Sequence, residues 1–184
     1  MGTEPETICI VGAGQAGCEL ALALRQNGWS GSIVLIGEER HAPYQRPALS
    51  KAYLKGAVDR RALFLRQPAV YERAKVQLLL NTRVQHIHRQ SKTLGLATGK
   101  ELRYARLALA TGGRPRPLSL PDTPLPANLH YLRSIDDVER IRSGFHAGRR
   151  LVVIGGGYIG LEVAAAATAC GLRVTVLEAA PRVL

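Results

Sequence analysis

Two stretches of the sequence carry glycines at a spacing that suits a phosphate group. They are TICIVGAGQAGCELA at residues 7 to 21 and LVVIGGGYIGLEVA at residues 151 to 164. Displaced by 143 positions, Gly12, Gly14 and Gly17 fall on Gly155, Gly157 and Gly160, and Glu19 falls on Glu162. Ala21, Ala23 and Gly28 likewise fall on Ala164, Ala166 and Gly171. Each copy then runs through a second apolar stretch to an acid, Glu38 in the first and Glu178 in the second. In such a pattern the first glycine lets the chain turn sharply out of a strand. The second lets backbone approach a pyrophosphate, and the third lets the following helix pack closely on the sheet. The helix start offers N–H groups and a partial positive charge, and the acid accepts hydrogen bonds from ribose hydroxyls.

A lone G-x-G-x-x-G is weak, because glycine-rich turns are common. Here both copies follow an apolar strand pattern, precede a helical one and have their acid in place. Two dinucleotides are therefore expected, and the economical chemistry is a flavin reduced by a nicotinamide cofactor. A carboxylate at Glu178 repels a 2′-phosphate, which favours NADH over NADPH. Arg182 is close by in sequence and does not replace the acid.

These residues need elements to hold them. Residues 7 to 11 form a short apolar run of the kind a fully buried parallel strand shows. Helix formers fill residues 15 to 27 and stop at Asn27-Gly28, and Ile33 to Ile36 is a second buried strand. This is one strand–helix–strand crossover. The stretch HAPYQRPALSKAYLKG at 41 to 56 breaks the pattern with Pro43 and Pro47 and predicts a short helix from Ala48 to Leu54. A further short helix is expected from Pro68 to Ala74, and strands over Val76 to Leu80 and Val84 to His88. Thr93 to Ala97 and Glu101 to Tyr104 flank Thr98-Gly99-Lys100 as a hairpin. Leu107 to Ala110 is another strand, closing on Thr111-Gly112-Gly113. Five of the ten prolines fall between Pro115 and Pro126, which reads as a linker or extended crossing. Ser134 then reads as the N-cap of a helix reaching to about His146, with Asp136 and Asp137 in its first turn.

Composition narrows the function. No apolar run reaches bilayer length, and the start MGTEPETICIVG lacks a signal peptide's basic and apolar segments, so a cytoplasmic protein is expected. Cys9, Cys18 and Cys170 form no C-x-x-C pair, and buried small hydrophobes are the simpler reading than redox chemistry. No metal site is expected. The formal net charge of +11 comes from scattered basic residues without a basic block or interleaved aromatics. Nucleic-acid binding is therefore disfavoured, whereas an acidic partner or a merely solvated basic surface fits.

Four segments in one order carry a resemblance: PYQRPALSKAYLKG (43 to 56), LALATGGRPRPL (107 to 118), YLRSIDD (131 to 137) and LVVIGGGYIGLE (151 to 162). Together they resemble the FAD-dependent ferredoxin reductases, of the putidaredoxin reductase and dioxygenase reductase kind. These lie within the pyridine nucleotide-disulfide oxidoreductase superfamily. Rubredoxin reductase and apoptosis-inducing factor share much of the pattern. The resemblance implies an α/β fold, a Rossmann-like FAD-binding domain with an antiparallel insertion, followed by the start of a second, NAD-binding Rossmann domain. It implies that Gly12, Ala13, Gly14, Gln15, Ala16 and Gly17 cradle the FAD pyrophosphate and that Glu38 binds the adenosine ribose. Arg46 and Lys51 are implied at the flavin end and phosphates, Val84 near the adenine, and Ala110, Thr111, Gly112 and Arg133 along the FAD. Lys51 is implied beside flavin N5, paired with Glu162 near the nicotinamide. Gly155, Gly157, Ile159, Gly160, Glu162 and Glu178 are implied for NAD. For two of these the plainer alternatives are a surface role for Arg46 and a pairing of Arg133 with Asp136 or Asp137. One departure is Ala48, where the family usually has a second proline.

The implied activity is transfer of electrons from NADH through FAD to a small iron–sulfur ferredoxin that feeds an oxygenase. The related disulfide reductases carry a cysteine pair near the first helix, which this sequence lacks. A basic surface suits an acidic ferredoxin. Members of this family are about twice as long, so residues 1–115 are expected as an incomplete FAD-binding domain and 116–150 as a linker. Residues 151–184 are expected as the first unit of a truncated NAD-binding domain. The alternatives are a non-catalytic FAD-binding fragment and a rubredoxin-reductase-like or apoptosis-inducing-factor-like NADH oxidoreductase. The sequence leaves the oligomeric state open.

Overall fold

The structure is a computed structural model and describes residues 6–118 and 124–184. Residues 119–123 of the expected proline-rich linker, and the first five residues, lie outside the described residues. The chain divides into two compact units, Met1–Gln45 with Phe64–Gly113, and Arg46–Leu63 with Arg114–Leu184.

In the first unit, strand β1 (Ile8–Val11) leads into helix α1 (Gln15–Gln26) and returns to β2 (Ile33–Ile36). Helix α2 (Pro68–Arg73) precedes β3 (Val76–Leu79). An antiparallel sheet follows, formed by β4 (Val84–His88), β5 (Thr93–Leu96) and β6 (Glu101–Arg103), and then β7 (Arg106–Leu109). The main sheet has the order β3-β2-β1-β7 and is parallel throughout. Its register sets Val11 opposite Ile36 and Leu109, and Ile36 opposite Leu79. All four strands therefore end at one level.

Strand β2 is buried at every position, as its unbroken IVLI run requires of a strand covered on both faces. On one face, Ile8, Ile10, Ile33 and Leu35 pack with Cys18, Ala21 and Leu22 of α1 and Tyr71 of α2. On the other, Cys9, Val34 and Ile36 pack with Leu94 of the antiparallel sheet. Arg25 anchors the last turn of α1. Its guanidinium donates to the carbonyls of Trp29, Gly31, Ala74 and Lys75, tying the helix end to the loop before β2 and the turn before β3. Five N–H groups in a rigid fork suit that role.

In the second unit, a 3₁₀ segment Pro47–Ser50 and another at Arg60–Leu63 precede helix α3 (Ile135–Arg142). Strand β8 (Arg150–Ile154), helix α4 (Tyr158–Ala169) and β9 (Arg173–Leu177) then form one parallel crossover. The residues alternate along both strands. Val153 is buried, while Val152, Ile154 and Leu177 lie exposed on the opposite face.

Two elements differ from expectation. The helix expected over 48 to 54 is a 3₁₀ turn at Pro47–Ser50 followed by irregular turns closed by bonds such as Tyr53 N–H to the Ala48 carbonyl, with Leu49, Tyr53 and Leu54 buried. Helix α3 stops at Arg142 rather than His146. Ser143 bonds back to the Arg140 carbonyl and Gly144 follows it, so tight turns replace the last expected turn. Among the described residues no helix is long and apolar enough to cross a membrane.

Candidate functional site

The first unit gathers its candidate residues at the common level where the parallel strands end. Gly12 follows β1, Gly37 and Glu38 follow β2, and Ala110 to Gly112 follow β7. Gly12 has φ of +117°, and a Cβ there would lie 2.1 Å from the Ala110 carbonyl oxygen. Only glycine lets the turn leave β1 while passing so close to the β7 extension. Gly17 is held by the same turn, because a Cβ there would meet the Gly12 carbonyl oxygen at 2.0 Å. Gly14 differs: a Cβ on it meets nothing within 4 Å, so open space lies in front of the start of α1. That helix has no side-chain cap and no acid in its first turn. Its leading N–H groups and positive dipole end are left for a ligand.

Glu38 sits at the rim of this turn and pairs with Arg83 at 3.2 Å. Thr82 donates its N–H to the Gly37 carbonyl at 2.8 Å, which brings the start of β4, with Val84, beside the end of β2. Gly37 is needed here because a Cβ would lie 2.6 Å from that of Ala13. Sequence reasoning missed both Gly37 and Arg83. The parallel pairing of β2 with β1 and with β3 reveals them.

The second unit repeats the device. Gly155 has φ of +104°, and a Cβ on Gly160 would lie 2.1 Å from the Gly155 carbonyl oxygen. Gly157 faces open space, and α4 also lacks a side-chain cap and a first-turn acid. Tyr158 and Ile159 at its start are exposed. By contrast α3 closes its own N-terminus with a capping box between Ser134 and Asp137. Glu178 is oriented by backbone: its Oε2 accepts from Gly156 N–H at 2.6 Å and its Oε1 from Ala180 N–H at 2.8 Å. These backbone bonds hold the carboxyl below its ordinary range.

Lys51 and Glu162 meet although 111 positions separate them, with Nζ 3.2 Å from Oε1. The segment carrying Lys51 is tied down on both sides. Arg46 donates from Nη1 to the Arg133 carbonyl at 2.6 Å. Tyr53 donates its hydroxyl to Glu139 at 3.2 Å, and the Arg142 guanidinium lies 5.7 Å from the centre of its ring. The Asp137 carboxylate accepts from Ser134, from the Arg133 backbone N–H and from Arg140. It is thereby committed to capping and to Arg140 rather than to the Arg133 guanidinium. Ser50, which sequence reasoning passed over, donates its hydroxyl to Glu162 Oε2. Its one signal was its place immediately before Lys51.

Cys9 and Cys18 lie in settings that suppress thiolate formation. Burial pushes the Cys9 thiol up to about 11 and raises that of Cys18, whose sulfur lies 3.1 Å from the Tyr71 hydroxyl. Each unit therefore offers an uncapped helix start, open space before its central glycine and an oriented carboxylate. Helix-start N–H donors suit a diphosphate, and a carboxylate acceptor suits ribose hydroxyls.

Putidaredoxin reductase CamA of Pseudomonas putida is 48% identical over 97% of this chain and 43% of its own length. The ferredoxin–NAD(+) reductase component of the p-cumate 2,3-dioxygenase system of Pseudomonas putida is 42% identical over 100% of this chain and 45% of its own length. Among solved structures, the covalent putidaredoxin reductase–putidaredoxin complex superposes with a TM-score of 0.92 and 46% identity, over 99% of this chain and 44% of that one. The chain thus spans less than half the length of the curated relatives it matches. The profile of the pyridine nucleotide-disulphide oxidoreductases matches residues 6–184, and the chain belongs to that family.

Proposed function

We propose that this chain supplies the FAD-binding and nicotinamide-binding turns of an NADH-dependent flavoprotein reductase that passes electrons to a small iron–sulfur protein. The observation that carries the reading is the repetition, once in each compact unit, of an uncapped helix start behind a glycine turn with its own carboxylate. The names of the similar proteins, reductases of putidaredoxin and of dioxygenase ferredoxins, support the same reading. Residues 1–115 would serve FAD, 116–150 would cross over, and 151–184 would open the NADH part.

In the first unit, backbone N–H groups from Gly12 to Gly17 would bind the FAD diphosphate, with Ala110 to Gly112 alongside. Glu38 would accept the ribose hydroxyls and Val84 would line the adenine side. Arg46 and Arg133, both of the second unit, would add positive charge toward FAD. In the second unit, Gly155, Gly157, Ile159 and Gly160 would bind the NADH diphosphate, and Glu178 its ribose. A carboxylate held ionised there disfavours a 2′-phosphate. Bound FAD supplies acceptance of a hydride and release of electrons one at a time. Lys51, oriented by Glu162, would offset negative charge at the site of hydride acceptance. An acidic iron–sulfur partner suits the net charge of +11, and the compartment would be the cytoplasm.

The test is to purify the protein, look for visible flavin absorbance, and identify the released cofactor by chromatography. Anaerobic NADH should then bleach it, and an added ferredoxin should be reduced in turn. A protein that holds no flavin refutes the reading. One that holds FAD yet is not bleached by NADH is a flavin-binding protein without the reductase activity.

A further inference from the structure

Glu162 is gripped by two consecutive residues. Ser50 Oγ donates to its Oε2, and Lys51 Nζ lies 3.2 Å from its Oε1. This is unusual for neighbours in a 3₁₀ segment, whose side chains diverge by about 120°. It is possible here because the chain leaves the helix at Lys51, with φ of −117° and ψ of −112°. The departure swings the lysine back over the carboxylate that Ser50 already holds.

The two partners differ in kind. The Lys51 side chain is 56% exposed and that of Glu162 31% exposed, so their attraction is softened by water. Ser50 is only 3% exposed and sits between two fixed points, the Arg46 bond to the Arg133 carbonyl and the Tyr53 bond to Glu139. A buried donor on a pinned segment has few other orientations. The ammonium, on four methylenes, has many.

We propose that Ser50 is a positioning residue: its hydroxyl fixes the Glu162 carboxylate, and through that carboxylate places the Lys51 ammonium for hydride acceptance from NADH. This rests on the reductase reading above. Three facts make the hydroxyl the fixed end of the arrangement. It is buried, its segment is tied at both sides, and among the groups acting on Glu162 it contributes the largest lowering of the carboxyl's proton affinity. Lys51 is the charged group that faces Glu162 from the 3₁₀ segment. The residues of β8 and β9 turned toward α4, Leu151, Val153, Val174 and Val176, are apolar and titrate nothing.

The experiment compares Ser50→Ala, Ser50→Thr, Glu162→Ala and the Ser50→Ala/Glu162→Ala double variant. The Glu162 carboxyl is followed by NMR with ¹³C-labelled glutamate in flavin-free protein. Its midpoint should rise in Ser50→Ala and return in Ser50→Thr. In FAD-loaded protein at neutral pH, Ser50→Ala should slow flavin reduction by NADH roughly three- to tenfold, with the KM for NADH changed less than about twofold. In the Glu162→Ala background, Ser50→Ala should cause no further loss. An unmoved midpoint in Ser50→Ala overturns the proposal, and so does a further loss in the double variant, which would mark Ser50 as merely structural. If wild-type protein holds no FAD or does not respond to NADH, the reductase reading fails and the placement of Lys51 for hydride acceptance falls with it. An unmoved midpoint in a protein that does respond to NADH overturns the Ser50 role alone.

Discussion

Gly156 donates its N–H to the Glu178 carboxylate at 2.6 Å, so the acid at the end of β9 is built into the glycine turn that follows β8. The turn and the acid are thus one rigid piece, although 22 positions separate them. Val183 packs against the same glycine, and Leu184 donates its N–H to the Gly156 carbonyl at 3.2 Å. The carboxylate is therefore aimed before any ribose arrives, and each of its oxygens keeps a lone pair for one.

Removing that acid should change which nicotinamide is used. Glu178→Ala should raise the KM for NADH about tenfold, the cost of a hydrogen bond to a charged group. It should narrow the preference over NADPH by at least as much, because the like-charge repulsion disappears. Steady-state kinetics with both cofactors, in a protein shown to turn over NADH, check this. Unchanged kinetics would remove Glu178 from the ribose role.

Gly12 and Gly14 should respond in opposite ways to the same substitution. Gly12→Ala places a Cβ 2.1 Å from the Ala110 carbonyl at a φ of +117°, and should destabilise the fold by about 3 kcal/mol or more. Gly14 has φ of −93° and open space around it. Gly14→Ala should leave the urea midpoint nearly unchanged yet weaken FAD retention. Urea unfolding and the flavin-to-protein absorbance ratio separate the two effects.

Arg25 should matter to stability and not to cofactor choice. Its guanidinium serves four carbonyls from two loops. Lysine carries the charge without the planar fork, so Arg25→Lys should cost about 2 kcal/mol. A lower urea midpoint at constant slope is the expected signature.

The acid limb of stability should report on Glu162. Its folded carboxyl lies below the ordinary value, through the Ser50 hydrogen bond first and Lys51 second. The unfolded chain therefore takes up the proton first as pH falls, and stability declines from about the ordinary value of 4.5 down through the lowered folded one. Above that window the contribution is complete. In Glu162→Gln the decline as pH falls below about 4.5 should be shallower. Urea midpoints across that range measure it, and an unchanged slope would show that the hydrogen bond and ion pair do not persist in solution.

Much of the fold is legible because its signals are local. Apolar runs such as IVLI at 33 to 36, the glycine spacing at 12 to 17 and 155 to 160, and the Ser134 cap with Asp137 three residues on each reflect chemistry within one turn or strand. The segment from Pro47 to Gly56 was less legible. Its 3₁₀ geometry follows from distant partners, Glu139, Glu162 and Arg133, which no short window contains.

The sequence alone determined that two glycine turns exist, that each leads into a helix and that each has an acid downstream, because these follow from residue type and spacing. Tertiary structure decided what those groups touch. The parallel register brought the Ala110 carbonyl against Gly12 and Arg83 against Glu38, and packing of the 3₁₀ segment on α4 set Ser50 and Lys51 on Glu162. The physical reason is that a strand's end and a helix's face fix direction to within an ångström only after the layers pack. Residue type says which groups can bond, and packing says which of them meet.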